Sequence, residues 1–230
     1  SRVNSLLQTL RRQEEGVYSL LAENPSVSAI QQLAFSLLLL RKGRSAVLEQ
    51  GHVLILGWSE RVPAIVGELV IANESERRAS VVVLAPEEKN VMEDTLREAI
   101  DDPKTTRIVC RSGDPAAPKD LIRANLAGSR AVIVVNGDDG DAGVVKAVLA
   151  VNTLDSGFEG RHLVAEIDDD ELSTTLRTLM GERMVPVNSD RLIAELTAQA
   201  CRQRGLSQVF RDLLDYDGDE IYFGAFPELE

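Results

Sequence analysis

From residue 51 onward, short β-branched runs alternate with stretches whose apolar residues recur every three or four positions. His52-Val53-Leu54-Ile55-Leu56-Gly57 reads as a strand buried on both faces and closed by a turn. A helix over 62–71 is expected behind it. The alternation continues through a strand at 80–84, a charged helix at 88–99, a strand at 107–110 and a short helix at 121–126. Then come the most apolar strand, 131–135, a helix at 142–153, a strand at 163–167, a helix at 171–180 and a weaker strand at 184–187. Strands without a polar face, separated mostly by helices of ten or more residues, predict a parallel sheet wrapped by helices. The fold class is therefore α/β, a Rossmann-like doubly wound sheet with its ligand crevice at the carboxyl ends of the strands.

The flanks carry other patterns. Asn24-Pro25 is a helix start, a capping Asn followed by Pro at the first helical position, and Val27, Ile30, Leu33, Ala34, Leu37 and Leu38 recur behind it. Two helices are expected, over 3–22 and 26–48. The run 36–40 is apolar on every side, so it requires cover from another element, a subunit or a membrane-adjacent region. After the sheet, Ser189 is read as the cap of a helix that aligns Leu192, Ile193, Leu196 and Ala200. Gly205 ends that helix, a shorter one over 206–214 carries Leu206 and Phe210, and a last strand is expected over 220–225. These elements lie outside the sheet and are candidates for subunit contact. The resulting division is a helical segment over 1–48 (a linker or an expression remnant), a Rossmann-like domain over 49–188, and crossover helices with the start of a small lobe over 189–230.

The charge of −12 changes the picture of partners: an acidic surface repels a phosphate backbone, which disfavours nucleic acid, and attracts cations. No apolar run approaches the roughly 18–20 residues of a membrane span, and no secretory leader is evident. Cys110 and Cys201 are far apart and are read as reduced, packed thiols. With His52 and His162 the only histidines, neither a zinc site nor imidazole catalysis is expected, and the chain is not read as an enzyme.

The first strand-to-helix turn, Gly57-Trp58-Ser59-Glu60-Arg61-Val62, keeps one glycine of G-x-G-x-x-G. Ser59 and Val62 replace the other two, and Glu60 adds an anion where a diphosphate would meet the helix dipole. A nucleotide such as NAD is therefore the secondary ligand, with Gly57, Ser59 and Glu87 as its residues. Glu87 and Glu88 stand after the second strand either as ribose ligands or as helix-start carboxylates. Carboxylates gather elsewhere: Asp138, Asp139 and Asp141 after the fourth strand, Glu166 and Asp168 on one side at the end of the fifth, then Asp169, Asp170 and Glu171. Neighbouring strands bring the two groups to one mouth, where repulsion is relieved by a hard cation, Ca²⁺ above all, or where the groups simply cap the following helices. Asp215-Tyr216-Asp217-Gly218-Asp219-Glu220 fails the EF-hand pattern because its glycine falls fourth, and is read as a tight turn.

Gly57-Trp58-Ser59-Glu60, Gly113-Asp114-Pro115, Leu121, Ala124-Asn125 and Ala127-Gly128-Ser129-Arg130-Ala131-Val132-Ile133-Val134 resemble the RCK (regulator of K⁺ conductance) domain of calcium-gated prokaryotic potassium channels. Leu40-Arg41-Lys42-Gly43-Arg44-Ser45, Leu54-Ile55-Leu56-Gly57-Trp58-Ser59, Cys110-Arg111-Ser112-Gly113, Ile221-Tyr222 and Pro227-Glu228-Leu229 resemble the CASTOR/POLLUX (DMI1-like) ion channels and their bacterial relatives more closely. The resemblance covers about residues 40–230. It implies an RCK N-lobe serving as the cytoplasmic regulatory part of an integral membrane cation channel, paired as a dimer within a tetrameric gating ring, with the pore domain outside this chain. It implies pairing through 189–214, and calcium ligands at Glu166 and Asp168. The family's acid after strand four has no counterpart, since Val135-Asn136 occupies that place and Asp138 or Asp139 follows two or three residues later. Arg41, Lys42 and Arg44 suit a segment near the cytoplasmic membrane face, as they suit any solvated helix end.

Overall fold

The computed structural model describes residues 43–154 and 161–214, together with Tyr216. The expected helix over 3–22, most of that over 26–48, the turn at 215–220 apart from Tyr216, and the strand over 220–225 lie outside these residues.

Six strands form one sheet: β1 (His52–Leu56), β2 (Ala79–Ala85), β3 (Thr106–Ser112), β4 (Ser129–Val134), β5 (His162–Glu166) and β6 (Met184–Val187). Their order is β3-β2-β1-β4-β5-β6, and every pairing is parallel. The strand order reverses between β1 and β4, which is where a doubly wound sheet opens its crevice.

Among the described residues the helices are α1 (Val62–Ala72), α2 (Lys89–Ala99), α3 (Pro118–Arg123), α4 (Gly140–Leu154), α5 (Asp170–Met180), α6 (Ser189–Arg202) and α7 (Leu206–Leu214). Period-two alternation within each strand sorts the core into two layers. Leu54, Leu56, Val82, Leu84, Val132, Val134, Leu163 and Ala165 meet apolar residues of α3, α4 and α5. Ile55, Val81, Val83 and Ala85 meet Val62 and Val66 of α1 and Met92 and Leu96 of α2. Register keeps like faces together, with Leu54 beside both Val82 and Val132. A strand apolar on both faces is thus explained by two helical layers. That cover thins toward the β6 edge, where Val164 is half-buried and Val185 exposed.

Four expectations need correction. The helix over 26–48 does not reach its expected end: residues 43–50 are a turn and extended chain, and Gly43 adopts φ +65°, which ends helical geometry. The short helix begins at Pro118, whose ring suits a first helical position, rather than at 121. Asn125 at φ +56° then stops it, and a 3₁₀ turn follows at Leu126–Gly128. The cap of α6 is Asn188, whose Oδ1 accepts the Arg191 N–H at 2.9 Å. Ser189 is instead the first helical residue, because its side chain is turned to Glu166. Finally, Cys110 is buried as expected but Cys201 is exposed, since no described element covers α6 far enough to bury any of its residues.

Candidate functional site

At the switch point, the turn after β1 and the turn after β4 press together. Gly57 sits at φ +101°, and a Cβ there would stand 2.9 Å from the Val135 carbonyl oxygen. Gly137 is held from the other side, where a Cβ would approach the Trp58 carbonyl oxygen to 2.6 Å. Val62 is fully buried where the nucleotide motif has its third glycine, and the Ser59 hydroxyl is buried with no hydrogen-bond partner among the described residues. Neither Gly57 nor Gly137 can take a side chain without displacing the turn that faces it.

Next to this contact, Asn136 draws together three carboxylates. Its Nδ2 donates to Asp141 Oδ1 and to Asp168 Oδ2, each at 2.9 Å, while its backbone N–H donates to Glu166 Oε2 at 3.1 Å. Asp141 also accepts the N–H groups of Asp168 and Asp169, at 3.1 and 2.8 Å, so the first turn of α4 caps the chain leaving β5. Asp169 caps α5 by accepting from the N–H groups of Glu171 and Leu172. The buried Glu166 carboxylate receives Arg61 Nη1 at 3.0 Å and the Ser189 hydroxyl at 2.5 Å, both on Oε1. Elements from both halves of the sheet thereby share one polar knot: the start of α1, the turn after β4, the end of β5 and the first residue of α6.

The charge within it is unbalanced. Partial desolvation, then the carboxylates of Asp141, Asp190 and Glu166, push the Asp168 carboxyl above its ordinary value, and Arg61 opposes them. Oxygen donors of this kind suit a hard cation. As placed, however, they face N–H donors and a guanidinium, and among the described residues no three acidic, imidazole or thiol groups stand together as a ready ligand set.

The expected carboxylate group is split in two. Asp141, Glu166 and Asp168 join the knot, whereas Asp138 and Asp139 line a separate crevice of about 720 Å³ at the carboxyl ends of β1 to β4. Gly57 and Glu87 border that crevice, as do the basic side chains of Arg44, Lys119, Arg123 and Lys146. The volume lies within the range of small-molecule sites. Its far wall is tightly built: Asp120 is buried, pairs with Arg123 Nη2 at 2.8 Å and accepts the Asp114 N–H at 2.8 Å.

Of the apolar positions assigned to subunit contact, Leu192 and Ile193 are 47% and 58% exposed, and Leu196, Ala200, Leu206 and Phe210 are half-buried. Neither α6 nor α7 has a buried residue.

Sequence reasoning missed three side chains of the knot. Asn136 stood where an acid was sought, and its amide supplies a shared donor in place of a fourth negative charge. Arg61 was passed over as part of a degraded glycine turn. Nothing in the local pattern marks Ser189 as a donor to Glu166, since its sequence position suits a cap equally well.

Comparison with known proteins adds two family matches. Residues 48–147 match the calcium-activated potassium channel slowpoke-like RCK domain, and residues 190–230 match the family described as Castor and Pollux, part of voltage-gated ion channel. The chain is 35% identical over 195 residues to the probable ion channel CASTOR of Oryza sativa subsp. japonica, an alignment that covers 83% of this chain and 22% of the relative. It is 36% identical over 195 residues to the ion channel DMI1 of Medicago truncatula, again covering 83% and 22%. The chain thus spans between a fifth and a quarter of the length of such relatives. Among solved structures, the human SLO3 gating ring matches 77% of this chain and 31% of its own at 15% identity, with a TM-score of 0.45. The GsuK channel bound to NAD matches 69% and 27% at 17% identity, with a TM-score of 0.42.

Proposed function

The chain is an RCK-type relative of the CASTOR/POLLUX ion channels, and on that premise we propose that it is the ligand-sensing regulatory domain of a cation channel, working on the cytoplasmic side of the membrane. The ligand is a divalent cation, Ca²⁺ foremost, held by Glu166, Asp168 and Asp141, with Asp138 and Asp139 adding negative field from the adjoining turn. One observation carries this reading: Asp141, Glu166 and Asp168 converge at Asn136 with a single guanidinium opposite them. On this reading a cation takes over carboxylate oxygens that Arg61 and the Asn136 amide contact.

Sensing requires that the bound and free states differ somewhere a partner can read. The same two residues hold the start of α6, Glu166 by its carboxylate to the Ser189 hydroxyl and Asp168 by its backbone carbonyl oxygen, which accepts Asn188 Nδ2 at 2.8 Å. A cation that draws Glu166 and Asp168 inward alters both attachments and so reorients α6 and α7. The stripe of exposed Leu192 and Ile193 with half-buried Leu196 pairs with a second copy, as a dimer within a tetrameric ring, and transmits the change toward the pore.

Calorimetric titration with Ca²⁺ tests the site. Saturable binding that disappears in Glu166→Gln plus Asp168→Asn supports it, and binding that survives in the double variant assigns the cation elsewhere. The second reading is a nucleotide in the crevice, favoured by the four basic side chains around it and by Glu87 at the end of β2. A thermal-shift series with NAD⁺, NADH, ATP and AMP decides it: no shift at millimolar concentration excludes nucleotide sensing.

A further inference from the structure

The chain enters the fold along a route that the sheet itself does not require. Residues 43–51 run antiparallel to β3, from its carboxyl end back to the amino end of β4. Gly43, Ser45 and Val47 are turned inward, while Arg44, Ala46 and Leu48 are exposed. Gly43 is wedged at the rim, where a Cβ would stand 2.8 Å from Lys89 Cβ and 3.0 Å from the Ser112 nitrogen. Its carbonyl oxygen accepts the Ser112 N–H at 3.1 Å, and the Val47 N–H donates to the Arg123 carbonyl oxygen at 2.8 Å. Farther along, Asn125 Nδ2 donates to the Glu49 carbonyl oxygen at 2.7 Å, and the Gly51 N–H donates to that of Gly128 at 2.7 Å.

Between these ties sits an interior cation. Arg111 on β3 is only 6% exposed, and its guanidinium donates to the carbonyl oxygens of Ser45, from Nε at 2.8 Å, and of Cys110, from Nη1 at 2.9 Å. A buried guanidinium is costly unless its N–H groups keep their acceptors, and the Ser45 carbonyl is one of the two it has here. The geometry it enforces is the seating of Ser45.

Both residues that tie the rim half of this segment also form the crevice wall. Ser112 offers its N–H to Gly43 and lines the crevice, with its hydroxyl buried and without a partner among the described residues; Arg123 offers its carbonyl to Val47 and lines the crevice beside Arg44.

We propose that residues 43–51 are a strap closing one wall of the crevice, clasped by Arg111, so that filling the crevice acts directly on the chain entering at Gly43. The route is separate from the one through Ser189 and α6, and it holds whichever ligand the carboxylate knot takes. By linkage, a crevice occupant that displaces Ser112 or Arg123 loosens the strap, and a loosened strap opens the crevice.

The test uses a covalent occupant, so that it does not wait on an identified ligand. In a Cys201→Ser background, Ala116→Cys places a thiol in the crevice lining; the native Cys110 is buried, with its thiol pushed up to about 12, and stays unreactive. After complete modification with a bulky aryl maleimide, verified by mass, amide exchange is followed at Val47 and at Val82 in the central sheet. The proposal expects Val47 to exchange about tenfold faster with Val82 unchanged. Val47 exchange within twofold of the unmodified protein overturns it. Arg111→Lys supplies the reverse arm, since a shorter cation loosens the clasp: faster modification of Ala116→Cys supports the strap, and an unchanged rate in the folded variant counts against it.

Discussion

Arg61, in the turn before α1, reaches past β4 to the end of β5, where its Nη1 lies 3.0 Å from Glu166 Oε1. The pair joins the two halves of the sheet across the switch point. The glutamate is 9% exposed at its side chain and the arginine 46%, so the buried partner depends on the solvated one. Arg61→Gln should lower stability by about 1 kcal/mol, because Glu166 keeps only the Ser189 hydroxyl and the Asn136 N–H. The same variant should bind Ca²⁺ several-fold more tightly, since an internal competitor is gone. Urea denaturation and calorimetry read the two effects; an unchanged denaturation midpoint refutes the structural part, and weaker Ca²⁺ binding refutes the competitive one.

Asp168 should titrate above an ordinary aspartate. Its folded-state value is raised, chiefly by desolvation and then by Asp141, Asp190 and Glu166. A carboxyl that holds its proton more tightly when folded makes stability fall as pH rises through the window just above the ordinary carboxylate range. Carboxyl chemical shifts should place its midpoint on the high side, and millimolar Ca²⁺ should move it down. Replacement of the shared donor in Asn136→Ala should move it up further. A midpoint below that of a model aspartate contradicts the unbalanced field.

His52 carries the opposite dependence. Buried at the start of β1, its imidazole is pushed below its ordinary value by desolvation, with the nearby backbone of Glu49 and Ala124 and the charge of Glu49 opposing. A depressed folded-state value contributes stability that is complete above about pH 6.5 and is lost as pH falls toward the folded value. Denaturation curves between pH 7.5 and about pH 5 should show this decline, and His52→Phe should flatten it. A slope of the same size in that variant assigns the effect to other groups.

The exposed stripe of α6 predicts association. Leu192→Glu plus Ile193→Lys should shift the protein from dimer or larger to monomer in light scattering while leaving its melting temperature within a few degrees, because neither side chain is buried within one chain. Wild-type protein that is monomeric at every concentration removes this face as the contact.

Much of the architecture was legible from pattern alone. Val81-Val82-Val83 and Ala131-Val132-Ile133-Val134-Val135 have no polar face, and a strand apolar on both sides is stable only between two helical layers. The errors fell at element ends. Asn188 and Ser189 are adjacent, both are good caps, and only the position of Glu166 assigns the cap to one and the carboxylate to the other.

Side-chain periodicity and β-branched content determined the parallel doubly wound sheet, because each element's buried face is a local property of its own residues. The local composition also revealed that carboxylates crowd the ends of β4 and β5. Tertiary structure alone decided which of them meet. Asp138 and Asp141 are three residues apart, yet one borders the crevice and the other lies 2.9 Å from an Asn136 amide shared with Asp168. Arg61, which pairs with Glu166 beside them, comes from a distant turn. Charge interactions act through space at a few ångströms, and the separations that set them follow from chain crossings that no short stretch of sequence encodes.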